Sequence, residues 1–523
     1  MSTVNTVLIS GAADLDAAAI LAVARGARIE LGAALLGVVG DRRAEVLAAL
    51  DGRAVYGVTT GMGAQSKVGL TEVEQSQHQN NLLLARAVGG PPWLPAEEVR
   101  ALFAVRLRNF LTGDAGVSPE LLLLLTRFLD AGVVPAVPTS GSGSAGEIIP
   151  LAHAFGPLTG AGSVLTEAGP GLTGAGSGLT GARSGLTGAG SGLTGTGPGT
   201  DPSVREAADV LVEQGLTAME LGPKEGVALL QGVPGTTAQA ILIADRTRRL
   251  IQWWQAVLAI GIVAASAPQD VYLPSLARGD PELTAVLAAL QVLLADSDAS
   301  SRSLQAPVSF RVAGPVLAHL QRSVSALSAA VERALVGVTD SPAFVDGDFH
   351  ATAGFHGLDL AAHLDAVSVA LVHAAEVSAA RTHRLLDTAV TGLPPQLASR
   401  SGPDTGLVAV HKRAAAAVHQ LRRAAAPSIV GSMETSFGQE DVQTFSWEAA
   451  ANARTALDGA LEVMACELLT AYHATVLGGR STGPALRAIL DSVATVVPPI
   501  HRDRPFGRDI EALRLLLGDR PRP

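Results

Sequence analysis

Apolar residues recur at helical spacing over most of the chain beyond residue 203. In one segment Leu360, Leu364, Val367, Leu371 and Ala374 fall four, three, four and three residues apart between polar neighbours. That spacing puts them on one face of a helix and predicts an apolar seam that packs on a neighbouring element. Similar seams cover 240–266, 280–295, 315–336, 406–425 and 447–477. Strand-like alternation is sparse, so the pattern predicts a mainly α protein with a central bundle of long helices. Residues 1 to about 50 mix Ala, Leu and Val with charges at helical spacing and predict short surface helices. Two more helices are predicted over 79–89 and 102–110.

Three stretches break this pattern. Around Tyr56, Val55-Tyr56-Gly57-Val58-Thr59-Thr60-Gly61-Met62-Gly63 reads as a loop whose glycines let another backbone or a ligand approach. A structural tyrosine in a glycine-rich turn fits the same residues. The run Thr139-Ser140-Gly141-Ser142-Gly143-Ser144-Ala145-Gly146 gives way to an apolar segment ending at His153. It reads as a tightly packed loop feeding a buried helix, whose first N–H groups face the loop. Finally, Leu-Thr recurs every seven residues from 158 to 193, with too much glycine for a coiled coil. Residues about 168–200 are read as a flexible, low-complexity insertion. The expected division is an N-terminal part with the loops (1–202), a long-helix bundle (203–480) and tail helices (481–523).

Composition narrows the function classes. The 523 residues are 48% hydrophobic and 16% charged, which fits a globular chain and excludes wholesale disorder. A net charge of −10 offers no basic footprint for nucleic acid. Cys466 is the only cysteine, so no disulfide forms within the chain; its apolar helical setting predicts a buried, inert thiol. The N-terminus lacks a basic segment followed by a long apolar core, and the longest apolar run, 256–268, is too short to span a bilayer. A soluble, cytoplasmic protein without a membrane partner is the resulting expectation.

Eight short blocks carry the candidate chemistry. They are Tyr56-Gly57-Val58-Thr59-Thr60-Gly61, the 141–153 segment, Lys224-Glu225-Gly226-Val227-Ala228-Leu229-Leu230-Gln231-Gly232, Gln305-Ala306-Pro307-Val308-Ser309-Phe310-Arg311, Asp340-Ser341-Pro342, Gly354-Phe355-His356-Gly357, Gly438-Gln439-Glu440-Asp441 and Asp503-Arg504-Pro505. Their content and order resemble the histidine and aromatic amino-acid ammonia-lyases and aminomutases. The resemblance implies a mainly α fold and a homotetramer in which each site draws loops from three chains. It implies Tyr56 as catalytic tyrosine and Glu440 as the acid near the substrate amine. Arg311 would grip the substrate carboxylate, a task suited to a planar fork of donors. Phe355 would pack on the substrate, and Gln231 stands where the family has an active-site asparagine.

The same resemblance exposes departures. The family builds its electrophile, 4-methylideneimidazol-5-one (MIO), by cyclising Ala-Ser-Gly and dehydrating the serine. The corresponding tripeptide is Ser144-Ala145-Gly146, and Ala145 has no hydroxyl to eliminate. A one-residue slip would centre Ser144 and make Ala145 supply the attacking nitrogen. Val308 replaces a tyrosine, Gly354 an asparagine, and Ala85-Arg86 the Ser-His pair beside the aromatic pocket. Arg86 either faces the substrate, which would then carry an acidic or polar end, or pairs with a nearby acid. The expectation is an enzyme without MIO or other cofactor, running acid/base chemistry on a carboxylate-bearing small molecule. An active ammonia-lyase or aminomutase with an atypical MIO is the second reading, and a non-catalytic homologue supporting a partner the third. Gly141-x-Gly143-x-x-Gly146 lacks a surrounding βαβ unit for dinucleotide binding. His350, His356 and His363 with Asp346 and Asp348 lack the helical i, i+4 spacing of a metal pair, and no metal is expected. Ser142 and Ser144 lie in no Gly-x-Ser-x-Gly elbow.

Overall fold

The computed structural model describes residues 5–166 and 203–519; the repeat at about 168–200 lies outside them. The fold is built on Pro234–Ala265 and Ser446–Leu477, each of 32 residues, with Leu358–Leu385, Ala313–Val336 and Val408–Leu421 beside them. At about 1.5 Å per residue the two longest helices run roughly 48 Å. Leu358–Leu385 packs along Ser446–Leu477, which in turn packs on Pro234–Ala265. The seam Leu360, Leu364, Val367, Leu371 and Ala374 is buried throughout, as its spacing predicts.

The apolar run at 256–268 is the end of a longer element. Charged residues interrupt the apolar pattern of the Pro234–Ala265 helix at its middle, and ion pairs accommodate them. Arg246 meets Glu97 at 2.5 Å, and Arg249 meets Asp245 at 3.1 Å. Three stretches, Glu225–Ala265, Gly354–Leu385 and Ser446–Leu477, are long and apolar enough to cross a membrane by length and composition. Their most apolar windows are 94%, 67% and 78% buried within the protein, so packing accounts for most of that apolarity.

Near the N-terminus the structure adds what periodicity did not reveal. Thr6–Ile9 pairs in parallel with Arg28–Leu31 across the short helix Ala17–Ala24, and an 18-residue helix follows at Ala33–Leu50. Four-residue strands are too short to declare a period of two. The helix expected over 79–89 runs from Glu72 to Arg86. Its first two turns carry only one apolar residue, the exposed Val73, so apolar spacing does not mark them. They are held by a capping box in which Glu74 N–H donates to Thr71 Oγ1 (3.4 Å) and Thr71 N–H to Glu74 Oε2 (2.8 Å). The helix expected over 102–110 likewise starts earlier, at Ala96 after Pro95.

Candidate active site

At one end of the bundle a cavity of about 910 Å³ is enclosed by the tyrosine loop, the Glu72–Arg86 helix, the small-residue loop, the segment after Glu225–Leu230, and residues 351–356 and 436–442. Each wall is set by local chemistry. In the tyrosine loop Gly57 has φ +69°, and a Cβ there would lie 2.7 Å from Met62 Cγ. Thr59 Oγ1 donates to Arg53 O at 2.7 Å and accepts Val55 N–H at 2.8 Å, closing the turn. Tyr56 Oη accepts Gly63 N–H at 2.8 Å, which fixes the phenol at the cavity wall. Gln79, fully buried, ties three elements together. Its Nε2 donates to Gly57 O (3.0 Å) and its Oε1 accepts Val227 N–H (3.1 Å). Gly226 lies so close that a Cβ would come 2.2 Å from Gln79 O.

Ala145, Gly146, Gln231 and Gly232 line the cavity together. The loop leading to Ala145 is held by side-chain hydrogen bonds. Ser142 Oγ and Ser144 Oγ both donate to Gly146 O, at 2.6 and 2.9 Å. Glu448 accepts the N–H groups of Gly141 and Ser142 at 3.1 and 2.9 Å. The helix after the loop is Ile148–Phe155, and its first N–H reaches Ser144 Oγ at 3.4 Å rather than the cavity. Glu147 is buried and accepts Gly235 N–H (2.8 Å) and Thr236 N–H (2.6 Å), capping the Pro234–Ala265 helix from a distance. Burial pushes its carboxyl up to about 7, against the pull of those bonds and of Arg106. Arg106, also buried, donates to Gln231 O at 2.5 Å, and burial lowers its guanidinium to about 10. Lys224 and Asp340 form a buried ion pair joining this segment to Ser341 and Pro342 on the cavity.

His78, Asn81, Leu82, Ala85 and Arg86 present one helical face to the cavity. Arg86 donates to Leu82 O at 3.3 Å, within its own helix. Burial disfavours its charge, while Tyr56 and Glu440 favour it. Across the cavity lie Phe355 and His356. Gly354 precedes them, and a Cβ there would meet Val338 O at 2.0 Å, so this backbone leaves no room for a side chain. Glu440 accepts hydroxyl hydrogen bonds from Thr435 and Ser436, both at 3.2 Å, on a tight turn closed by Thr435 N–H to Glu440 O. Phe437 at its tip is 97% exposed.

Of the residues singled out from sequence, Tyr56, Arg86, Ala145, Gly146, Gln231, Phe355 and Glu440 line this one cavity. Ser144 lies beside it with its hydroxyl turned into the loop. Arg311 does not line it within one chain. It sits on the Val308–Arg311 turn and lines a separate cavity of about 420 Å³ with Arg302 and Gln305. Sequence reasoning missed His78, Gln79, Arg106 and Glu448. Only Gln79 and Arg106 carried a signal, as polar residues within patterns that bury their neighbours. Among the described residues no group of three or more His, Cys, Asp or Glu is placed to hold a metal ion.

A cavity of this make-up at the end of such a bundle defines the ammonia-lyase and aminomutase class of helical protein. The structure of tyrosine aminomutase from Streptomyces globisporus shares the fold, with TM-score 0.85 and 26% identity over 96% of this chain and 95% of that one. The family profile described as aromatic amino acid lyase matches residues 15–495, and the chain belongs to that family. Among its relatives are histidine ammonia-lyase of Streptomyces avermitilis, 31% identical over 94% of this chain and 92% of the relative, and tyrosine ammonia-lyase of Cupriavidus metallidurans, 30% identical over 95% and 93%.

Proposed function

We propose that this member of the family works without MIO, as a lyase-like enzyme that moves protons on a carboxylate-bearing small molecule. The observation that carries the reading is Ala145, whose methyl group occupies the cavity surface where the family's dehydrated serine would stand. The residues present do not fit the prosthetic group. Ala145 has no hydroxyl to lose, and the Ser144 hydroxyl is bonded to Gly146 O in a loop pinned by Glu448. The chemistry then rests on side chains that line the cavity. Tyr56, oriented by Gly63 N–H, takes or returns a proton at carbon, and Glu440 exchanges one with the group that leaves or adds. Elimination, addition, isomerisation and ring closure of an unsaturated acid all follow this scheme. Phe355 and Gln231 position the substrate. Arg311 grips its carboxylate from another subunit of a homotetramer, a placement supported by its absence from the cavity of its own chain. The test is the intact mass of the purified protein. A mass equal to the encoded chain is expected; a mass two waters lighter would mean a cyclised, dehydrated tripeptide centred on Ser144 and would overturn the reading.

A further inference from the structure

The Glu72–Arg86 helix leaves two nitrogen-bearing groups at the cavity wall in need of a partner. Arg86 has five N–H donors, yet its hydrogen bond within the described residues is the 3.3 Å contact to Leu82 O. No carboxylate of the described residues lies within ion-pair distance of it. Tyr56 and Glu440 favour its charge only from beyond ion-pair distance, so the half-buried guanidinium is incompletely paired, and a ligand anion is a group that relieves it. Two turns earlier, His78 Nε2 is buried with no hydrogen-bond partner among the described residues. The two residues act on one space. Arg86 folds back toward Leu82, one turn in the direction of His78, and its charge opposes protonation of that imidazole.

We propose that this face of the helix, with Arg86 and His78 as its reading groups, binds a second carboxylate of the substrate, so that the enzyme acts on small dicarboxylic acids. The inference deepens the functional reading above, since it leaves the first carboxylate to Arg311. The titratable and charged groups sharing the cavity are Tyr56, His78, Arg86, His356, Glu440 and Asp441. Glu440 accepts from Thr435 and Ser436 on the facing turn and forms no ion pair with Arg86. In the ligand-free chain, burial and the Arg86 charge hold the His78 imidazole below its ordinary range, hence neutral at pH 7. A carboxylate arriving between them opposes both effects, so binding draws a proton onto His78.

Calorimetric titration of the full-length protein with straight-chain dicarboxylates of increasing length, each against its monocarboxylate of equal length, tests this. At some length the double acid is expected to bind about tenfold tighter than its partner, with proton uptake seen as a buffer-dependent heat. Arg86→Gln should abolish that preference and leave monocarboxylate binding nearly unchanged. Arg311→Gln should weaken both classes, and His78→Asn should remove the proton uptake, which serves as a second readout should the arginine variant fold poorly. The proposal is overturned if no length shows a preference for the double acid, including through lack of binding. It is overturned equally if Arg86→Gln weakens both classes alike, because Arg86 would then hold the sole carboxylate. Binding preference is read independently of the protein's mass, so MIO formation and failure of this subsite are told apart.

Discussion

The Leu358–Leu385 helix and the Glu72–Arg86 helix each bury an arginine to some degree, and they treat it in opposite ways. In the bundle, Arg381 lies against Glu467 with Nε and Nη2 donating at 2.5 and 2.9 Å, while its Nη1 donates to Ser309 O at 3.2 Å. Ser378 bonds the same carboxylate. At the cavity, among the described residues, Arg86 donates only within its own helix and His78 Nε2 has no hydrogen-bond partner. Buried charge is tolerated in a core only when hydrogen bonds surround it. A group left short of partners at a concave surface is available to something that arrives later. The bundle spends its polar groups on holding the chain; the cavity wall reserves them.

The contrast is broken most severely on the bundle side. Arg381→Met should leave Glu467 buried without its cation and cost about 3–5 kcal/mol in denaturant unfolding. It should also loosen the Val308–Arg311 turn, since Ser309 O loses its donor. On the cavity side, Tyr56→Phe removes the hydroxyl proposed to transfer protons without emptying the wall. Turnover of the dicarboxylate selected by titration should fall by about a hundredfold or more, while the melting temperature stays close to wild type.

The smallest effect sharpens the boundary between the regions. Glu147 lies between cavity and bundle, with its carboxyl raised from the ordinary 4.5 to about 7. The folded state therefore binds more protons than the unfolded one between those values, and stability falls as pH rises through that window. Glu147→Gln keeps an acceptor for Gly235 and Thr236 but cannot ionise. Its melting temperature should gain on wild type between pH 5 and pH 7; parallel curves would mean that Glu147 titrates normally.

How far these features could be read from sequence follows from what makes a pattern. Leu360, Leu364, Val367, Leu371 and Ala374 were legible because burial repeats with the helical turn, and a bundle of long helices repeats it many times. The start of the Glu72–Arg86 helix left no apolar trace, although Thr71 and Glu74 stand at the spacing of a capping box. The Thr6–Ile9 strand pairs with a segment about twenty residues away, a partner that local pattern does not name. In the cavity, Tyr56, Gln231, Phe355 and Glu440 were reachable through short blocks that resemble a family. His78 was not, because a lone histidine in a polar turn resembles any surface histidine. Arg311 was singled out from its block, but only the fold shows that it lines a separate cavity within its own chain.

Gly354 gives the departure from the family's residue pattern a direction. Restoring a hydroxyl at position 145 asks for one small side chain at the edge of a cavity. Restoring an asparagine at 354 asks for a Cβ only 2.0 Å from the Val338 carbonyl oxygen, which belongs to the backbone and cannot rotate aside. The two changes are therefore unequal in reversibility. One is a substitution that a single step undoes; the other has been built into the path of the main chain, so the way back runs through refitting the segment that ends at Thr339 and Asp340.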